Sequence, residues 1–377
     1  MTKYFTFEVI YMKKIEMYAN TPAKGRLPQQ FNEENYKKVQ DYHKSLAVYE
    51  PTPLVSLDGL AEELGVKAVY LKDESMRFGL NAFKALGASY AIGNLLKNIG
   101  SDKKPIFVTA TDGNHGRAVA WAAAQAGCKS VVFMPKGTAQ CRVDAIHEVS
   151  DADVTITDLN YDDAVRFAAA YAKQHSAYLV QDTGFEGYED IPWDITLGYT
   201  HMAAEAADML GDTVPTHVFL QAGVGSMAGG VLGYLTDRYG SGAFKTSIME
   251  AYDTGCIFDS VKQGCLVASG GNPKTIMAGL NCGEANIFTF PVLRDFAEFF
   301  FKLPDYVTEE GMRRLAKEGI VAGECGAIGT GLLINICKKQ EFADMKAQMG
   351  LDENSVVLLF STEGNTDPDS YERIVNG

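Results

Sequence analysis

Beyond residue 50 the chain alternates between two patterns. Short runs dense in β-branched and other apolar residues give way to stretches where apolar positions recur every three or four residues, with Gly, Asp or Pro between them. The runs KAVYLKD, PIFVTATD, SVVFMP, DVTITD, AYLVQD, THVFLQA, KTSIMEA and SVVLLF predict strands. The alanine- and leucine-rich stretches 115–126, 161–174, 195–210 and 226–238 predict helices among them. Strand and helix in alternation imply right-handed crossovers, and so an α/β fold of parallel-rich twisted sheets flanked by helices. Residues 1–50 are polar and mixed; in residues 49–57, YEPTPLVSL, the prolines forbid a helix and predict an extended entry.

Length and charge narrow the range of functions. A chain of 377 residues predicts about two domains. No apolar run reaches the roughly 18 residues of a membrane span, and MTKYFTFEVIYMKKIEMY lacks the apolar core of a signal peptide, so a cytoplasmic setting is expected. A formal charge of -14 opposes nucleic acid and anionic membrane surfaces but tolerates a cationic or zwitterionic small ligand. Seven cysteines without metal-ligand spacing read as reduced thiols and predict no metal centre, although Cys256, Cys265 and Cys282 lie close enough in sequence for one bridge.

In a parallel sheet, ligands bind beyond the carboxyl ends of the strands. Three such ends carry candidate chemistry. ATDGNHG, residues 110–116, turns into a helix at about His115 and leaves backbone N–H groups for an anion; Asp and Asn also serve turns for purely structural reasons. In QAGVGSMAGG, residues 221–230, Gly223, Gly225, Gly229 and Gly230 would let backbone approach a phosphate. A dinucleotide site is the competing reading there, with Glu250 as the ribose-binding acid, although Ala228 breaks the G-x-G-x-x-G pattern. In STEGN, residues 361–365, Ser361 and Thr362 would set a neutral hydroxyl in the crevice.

The fourth component is Lys84 in FGLNAFKALGASYA, near a helix start with Asn81 as a candidate cap. Its uncharged flanks predict either a snorkelling side chain or a partly desolvated amine of lowered pKa, hence nucleophilic. An amine, an amide-rich turn, a phosphate cradle and a strand-end hydroxyl are together the parts that hold pyridoxal phosphate.

These parts follow the chain order of the tryptophan-synthase-β-like, fold type II pyridoxal-phosphate enzymes. NAFKALGA, ATDGNHG, QDTGFEGYEDIP, GVGSMAGG, MAGLNCGE and STEGNTDPD, spanning about residues 45–370, resemble the diaminopropionate ammonia-lyases within that group. The resemblance implies two domains with the cofactor between them, residues 1–89 and 206–377 forming the larger and 90–205 the smaller. It implies a homodimer, and cleavage of 2,3-diaminopropionate to pyruvate and ammonia. It assigns Lys84 to the cofactor's aldehyde, Asn114 to its phenolic oxygen, and the backbone of Gly223, Val224, Gly225, Ser226 and Met227 to its phosphate. Thr362 faces its ring nitrogen, with Ser361 the neighbouring alternative. Asp112 and Asp182 are the acids that work on opposite faces of the substrate's α-carbon. Serine or threonine dehydratases and racemases of the same fold are the alternative reading; the dehydratases, like O-acetylserine sulfhydrylases, typically carry Ser-Phe-Lys or a similar run where this chain has Ala82-Phe83-Lys84. A binding protein that keeps the fold without chemistry is a further alternative, against which Lys84 speaks. Glu284, Tyr188, Trp193 and His115 are expected to pack or support rather than catalyse.

Overall fold

The computed structural model describes residues 13–100, 102–269 and 274–377. Its strands are β1 (Glu16–Ala19), β2 (Leu54–Ser56), β3 (Ala68–Asp73), β4 (Ile106–Ala110), β5 (Lys129–Met134), β6 (Asp153–Ile156), β7 (Tyr178–Leu179), β8 (His217–Gln221), β9 (Lys245–Ala251), β10 (Phe299–Leu303) and β11 (Val356–Ser361). They form a seven-stranded sheet in the order β1-β10-β9-β8-β11-β3-β2 and a four-stranded sheet in the order β6-β5-β4-β7.

The small sheet is parallel throughout. The large one is parallel across its centre and antiparallel at both margins, where β1 meets β10 and β2 meets β3. Both faces of β11 are covered, which is why VVLLFS reads as one apolar run. Its side chains alternate across the sheet: Leu358 and Phe360 join one core, Val357 and Leu359 the other.

Three helices nest behind the site: Lys84–Ile99, Asp190–Leu210 and Ser226–Tyr239. A Cβ on Gly198 would lie 2.6 Å from Leu86 O, and one on Gly230 would lie 2.6 Å from Thr196 O. The backbones therefore touch where the glycines sit. A Cβ on Gly229 would likewise lie 2.6 Å from Thr289 Cβ. This corrects the expectation that Gly229 and Gly230 serve a phosphate; both serve helix packing.

A buried ionic knot braces the segment leading to Lys84. Glu205 Oε2 accepts from Lys72 Nζ and Arg77 Nη2, each at 2.6 Å, while Arg77 Nε donates to Glu74 Oε2 at 2.8 Å. Lys72, Glu74 and Arg77 are buried completely. Two charges of each sign neutralise one another, the condition under which buried ions are tolerated.

Candidate active site

The lysine arm reaches the cleft by pairing with the end of β11. Ala82 bridges Glu363 in antiparallel fashion, Phe83 N–H donates to Thr362 O at 3.1 Å, and Gly364 N–H donates to Asn81 O at 2.9 Å. Asn81, with φ 56°, occupies the left-handed region rather than capping the helix; the cap position belongs to Phe83, which makes no side-chain cap bond.

The amide-rich turn closes on itself. Thr111 Oγ1 accepts from the N–H groups of Gly113 and Gly116 at 2.9 and 3.0 Å, and the helix starts at Asn114 after Gly113 at φ 149°. Asp182 lies three residues beyond β7, which is shorter than AYLVQD predicts. Gln181 turns its side chain inward, where Oε1 accepts from Ala110 N–H at 3.1 Å and Thr109 Oγ1 at 3.0 Å, replacing ladder bonds. Ser226 Oγ and Asn286 Nδ2 both donate to Asp182 O, at 2.5 and 3.1 Å, tying the glycine-rich loop to the acid's backbone.

Lys84, Asp112, Asn114, Asp182, Gly223, Val224, Gly225, Ser226, Met227 and Thr362 line one cleft, whose free space including its mouth is ≈ 740 Å³. Ser361 is not among the lining residues; its Oγ lies 2.9 Å from where a Cβ on Gly326 would stand. Thr362 is held from behind by Gln221, whose Nε2 donates to Cys325 O, Phe360 O and Thr362 Oγ1 at 3.0, 2.9 and 2.9 Å. An amide nitrogen accepts nothing, so the Thr362 hydroxyl proton is left for another acceptor.

Electrostatics differ between the two acids. Lys84 Nζ donates to Asp182 Oδ2. Burial opposes the charge on each, yet their attraction wins: Lys84 is pushed above its ordinary value and Asp182 is held down at about 2. The expected lowering of the lysine pKa is thus reversed. Asp112 is in the opposite situation: burial pushes it up to about 7, which the Arg142 guanidinium only partly offsets. Arg142 Nη1 donates to Asp112 O at 3.1 Å.

Other sequence readings resolve plainly. Cys256, Cys265 and Cys282 are free thiols, so no bridge joins them. Glu250 is buried, and its carboxylate accepts from the N–H groups of Ile257 and Phe258 at 2.9 and 2.6 Å, a capping job that leaves no ribose-binding acid. Glu284 forms an exposed ion pair with Arg166 at 2.9 Å. Tyr188 Oη donates to Leu179 O at 2.9 Å, Trp193 packs on Phe31, and His115, at the cleft, has Nε2 within 2.9 Å of Val180 O. Missed in the sequence were Gln221, Glu363, Cys282, Tyr161 and Arg142 as cleft residues. Gln221, Cys282 and Glu363 stand inside the motifs QAGVGSMAGG, MAGLNCGE and STEGN but drew no role there; Tyr161 and Arg142 had no signal.

Residues 46–360 match the family model described as pyridoxal-phosphate dependent enzyme. The chain belongs to this family of pyridoxal-phosphate-dependent enzymes. It is 43% identical to diaminopropionate ammonia-lyase of Escherichia coli (strain K12), over 97% of each chain. The same identity holds for the diaminopropionate ammonia-lyase of Salmonella typhimurium (strain LT2), over 90% of this chain and 91% of that one. The solved structure of the Escherichia coli enzyme in complex with an aminoacrylate-PLP azomethine reaction intermediate superposes with a TM-score of 0.91 at 44% identity, covering 96% of this chain and 97% of that one.

The cleft of this pyridoxal-phosphate-dependent enzyme suits such a cofactor. Among the described residues, the N–H groups of Gly223, Val224 and Gly225 find no acceptor, and Gly225 adopts φ 98°. A side chain on Gly223 would meet Gly279 O at 2.8 Å and Cys282 Sγ at 3.0 Å. Backbone donors, an unspent hydroxyl proton and one lysine amine face a common space.

Proposed function

We propose that the protein is a pyridoxal-phosphate-dependent ammonia-lyase that cleaves 2,3-diaminopropionate, with water, to pyruvate and two molecules of ammonia. One observation carries this reading: two carboxyl groups of opposite titration behaviour share a cleft with the lysine, Asp182 held at about 2 and Asp112 pushed up to about 7. The residues that would hold the cofactor are Lys84 at its aldehyde, residues 223–227 at its phosphate, Asn114 at its phenolic oxygen and Thr362 at its ring nitrogen. Bound there, pyridoxal phosphate supplies an electron-withdrawing ring that makes the substrate's Cα–H acidic. In this reading a larger lobe of residues 1–89 and 206–377 and a smaller one of residues 90–205 enclose the cofactor, and the acting form is a cytoplasmic homodimer, which light scattering checks.

The chain's own groups divide the proton work. Asp112 changes protonation near neutral pH, so it can take a proton at Cα or give one to a departing β-amine, which leaves poorly unless protonated. Asp182 is anionic because Lys84 is cationic. Once the lysine charge is spent, the main pull against burial is gone and only His115 and the residue's own backbone N–H still hold the carboxyl down, so its pKa rises and the acid becomes a better proton acceptor when it is needed. Thr362 can donate a hydrogen bond to a ring nitrogen but cannot ionise as a carboxylate does, which favours loss of a β-substituent over transamination.

The test is direct. Purified protein supplied with pyridoxal phosphate should show a visible absorption band that changes on adding 2,3-diaminopropionate, and pyruvate should accumulate. Lys84→Ala should lack both. Faster turnover of serine than of diaminopropionate would instead favour the dehydratase reading.

A further inference from the structure

Glu363 lies at a junction of four elements. Its backbone bridges Ala82, two residues before Lys84, and its carbonyl accepts from Gly323 N–H at 2.9 Å. Its side chain is buried, yet it faces the cleft. Both carboxylate oxygens are used: Oε1 accepts from Cys325 N–H at 2.9 Å, in the first turn of the helix Glu324–Lys338, and Oε2 accepts from Asn114 Nδ2. A Cβ on Gly323 would meet Glu363 Cγ at 2.9 Å, and one on Gly326 would meet Glu363 O at 2.8 Å, so close packing fixes the residue.

A carboxylate accepts and never donates. The atom that Asn114 turns toward Glu363 must therefore be its nitrogen, and the direction of Oδ1 and of the second N–H is set with it. The terminal torsion of asparagine is otherwise broad. Asn114 follows a glycine turn and begins a helix, so its backbone alone does not fix that torsion.

We propose that Glu363 is a positioning residue that locks the side-chain amide of Asn114 into one orientation at the cleft wall, and that the cofactor is bound by the locked form. This rests on the functional reading above, in which Asn114 adjoins the cofactor. The carboxylate is built into the strand end that also carries Thr362 and into the pairing that carries Lys84. Groups that would touch the cofactor's aldehyde, phenolic oxygen and ring nitrogen are thereby set by one residue.

A double-mutant cycle on cofactor affinity tests it. The dissociation constant of pyridoxal 5′-phosphate is measured for the parent, Glu363→Gln, Asn114→Ala and the double variant, with the visible absorption maximum recorded for each. In Glu363→Gln one oxygen becomes a donor, so either Cys325 N–H or the Asn114 amide loses its acceptor. A charge-assisted hydrogen bond of the usual strength corresponds to a loss of about tenfold or more. The expected result is a loss of that size in each single variant, and a double variant within about twofold of Asn114→Ala, because the glutamate acts through the asparagine. Losses that multiply in the double variant overturn the proposal, since a merely structural glutamate would add its effect independently. If Glu363→Gln does not fold, Glu363→Asp, which keeps the charge but draws it back, enters the same cycle with the same expectation. A parent protein that binds no pyridoxal phosphate would overturn the functional reading along with this one; a parent that binds it with multiplying losses overturns this one alone.

Discussion

Lys84 was legible as a chemical residue because one charge stands in an apolar run, but the sign of its pKa shift was not. Counting neighbours in the sequence registers the desolvation, the largest single influence, and misses Asp182, 98 positions away, whose charge and hydrogen bond together with Tyr199 and Cys282 outweigh it. Asp182→Asn should therefore leave desolvation opposed only by Tyr199 and Cys282 and bring the amine's pKa down. In cofactor-free protein at pH 8, trinitrophenylation of Lys84 should be at least ~10-fold faster in the variant than in the parent, since one pKa unit is a tenfold change in neutral amine. An unchanged rate would mean that the pair does not control the lysine. The acids should also separate by stereochemistry, Asp182 serving the L-isomer and Asp112 the D-isomer. Turnover of D-2,3-diaminopropionate by Asp112→Asn should fall by about 10²–10⁴, the usual worth of acid–base help, with the L-isomer much less affected. Equal losses for both isomers would refute the division.

At the scale of elements, most strands inside the large sheet were legible and the two at its margins were not. β11 is apolar on both faces because helices cover both, whereas β1, EMYA, and β2, LVS, are marginal strands of four and three residues in polar or proline-rich surroundings. β10, FFFKL, has the opposite difficulty: a continuous apolar run lacks the alternation that separates strand from buried helix. Glycine in a helix is equally ambiguous, since only the neighbour's position tells whether Gly230 faces a ligand or another backbone. Gly198 decides a stability prediction. Its replacement by alanine would press the helix Asp190–Leu210 against Leu86 O, in the first turn of the lysine-bearing helix. Backbone cannot move aside as a side-chain tip can, so Gly198→Ala should cost on the order of 1–3 kcal/mol in urea unfolding. It should also weaken cofactor binding, which Gly240→Ala, with no atom within 4 Å of the added Cβ, should not do. Gly240 lies outside the cleft and adopts φ 93°, so it provides a strain control for stability alone.

Over the whole molecule, buried titratable groups set how stability depends on pH. Burial pushes Asp112 up to about 7 and Glu250 up to about 8. Between its unfolded value near 4 and its folded value, each such group holds a proton in the native state that the unfolded chain has released, so rising pH removes stability across that interval. Asp182 has the reverse sign. Its contribution is present above its unfolded pKa near 4 and is lost as pH falls through about 2. Four buried histidines, His43, His115, His201 and His217, held down by burial, act with the opposite sign to Asp112 and Glu250 around their unfolded value near 6.5. The acid is therefore read by difference: in cofactor-free protein, Asp112→Asn should lose less urea resistance than the parent as pH rises from 5 to 8. At pH 5 parent and variant should match, because Asp112 is protonated in the parent. At pH 8 the variant should be the more stable by on the order of 2 kcal/mol, allowing for water in the cleft. Asp112 accepts no hydrogen bond at its carboxyl among the described residues, so the amide forfeits no partner. A variant no more stable than the parent at pH 8 would mean the carboxylate is well hydrated and ionised at ordinary acid pH. Its suitability for exchanging a proton near neutrality would then disappear, for desolvation of that one carboxyl underlies both the instability and the chemistry.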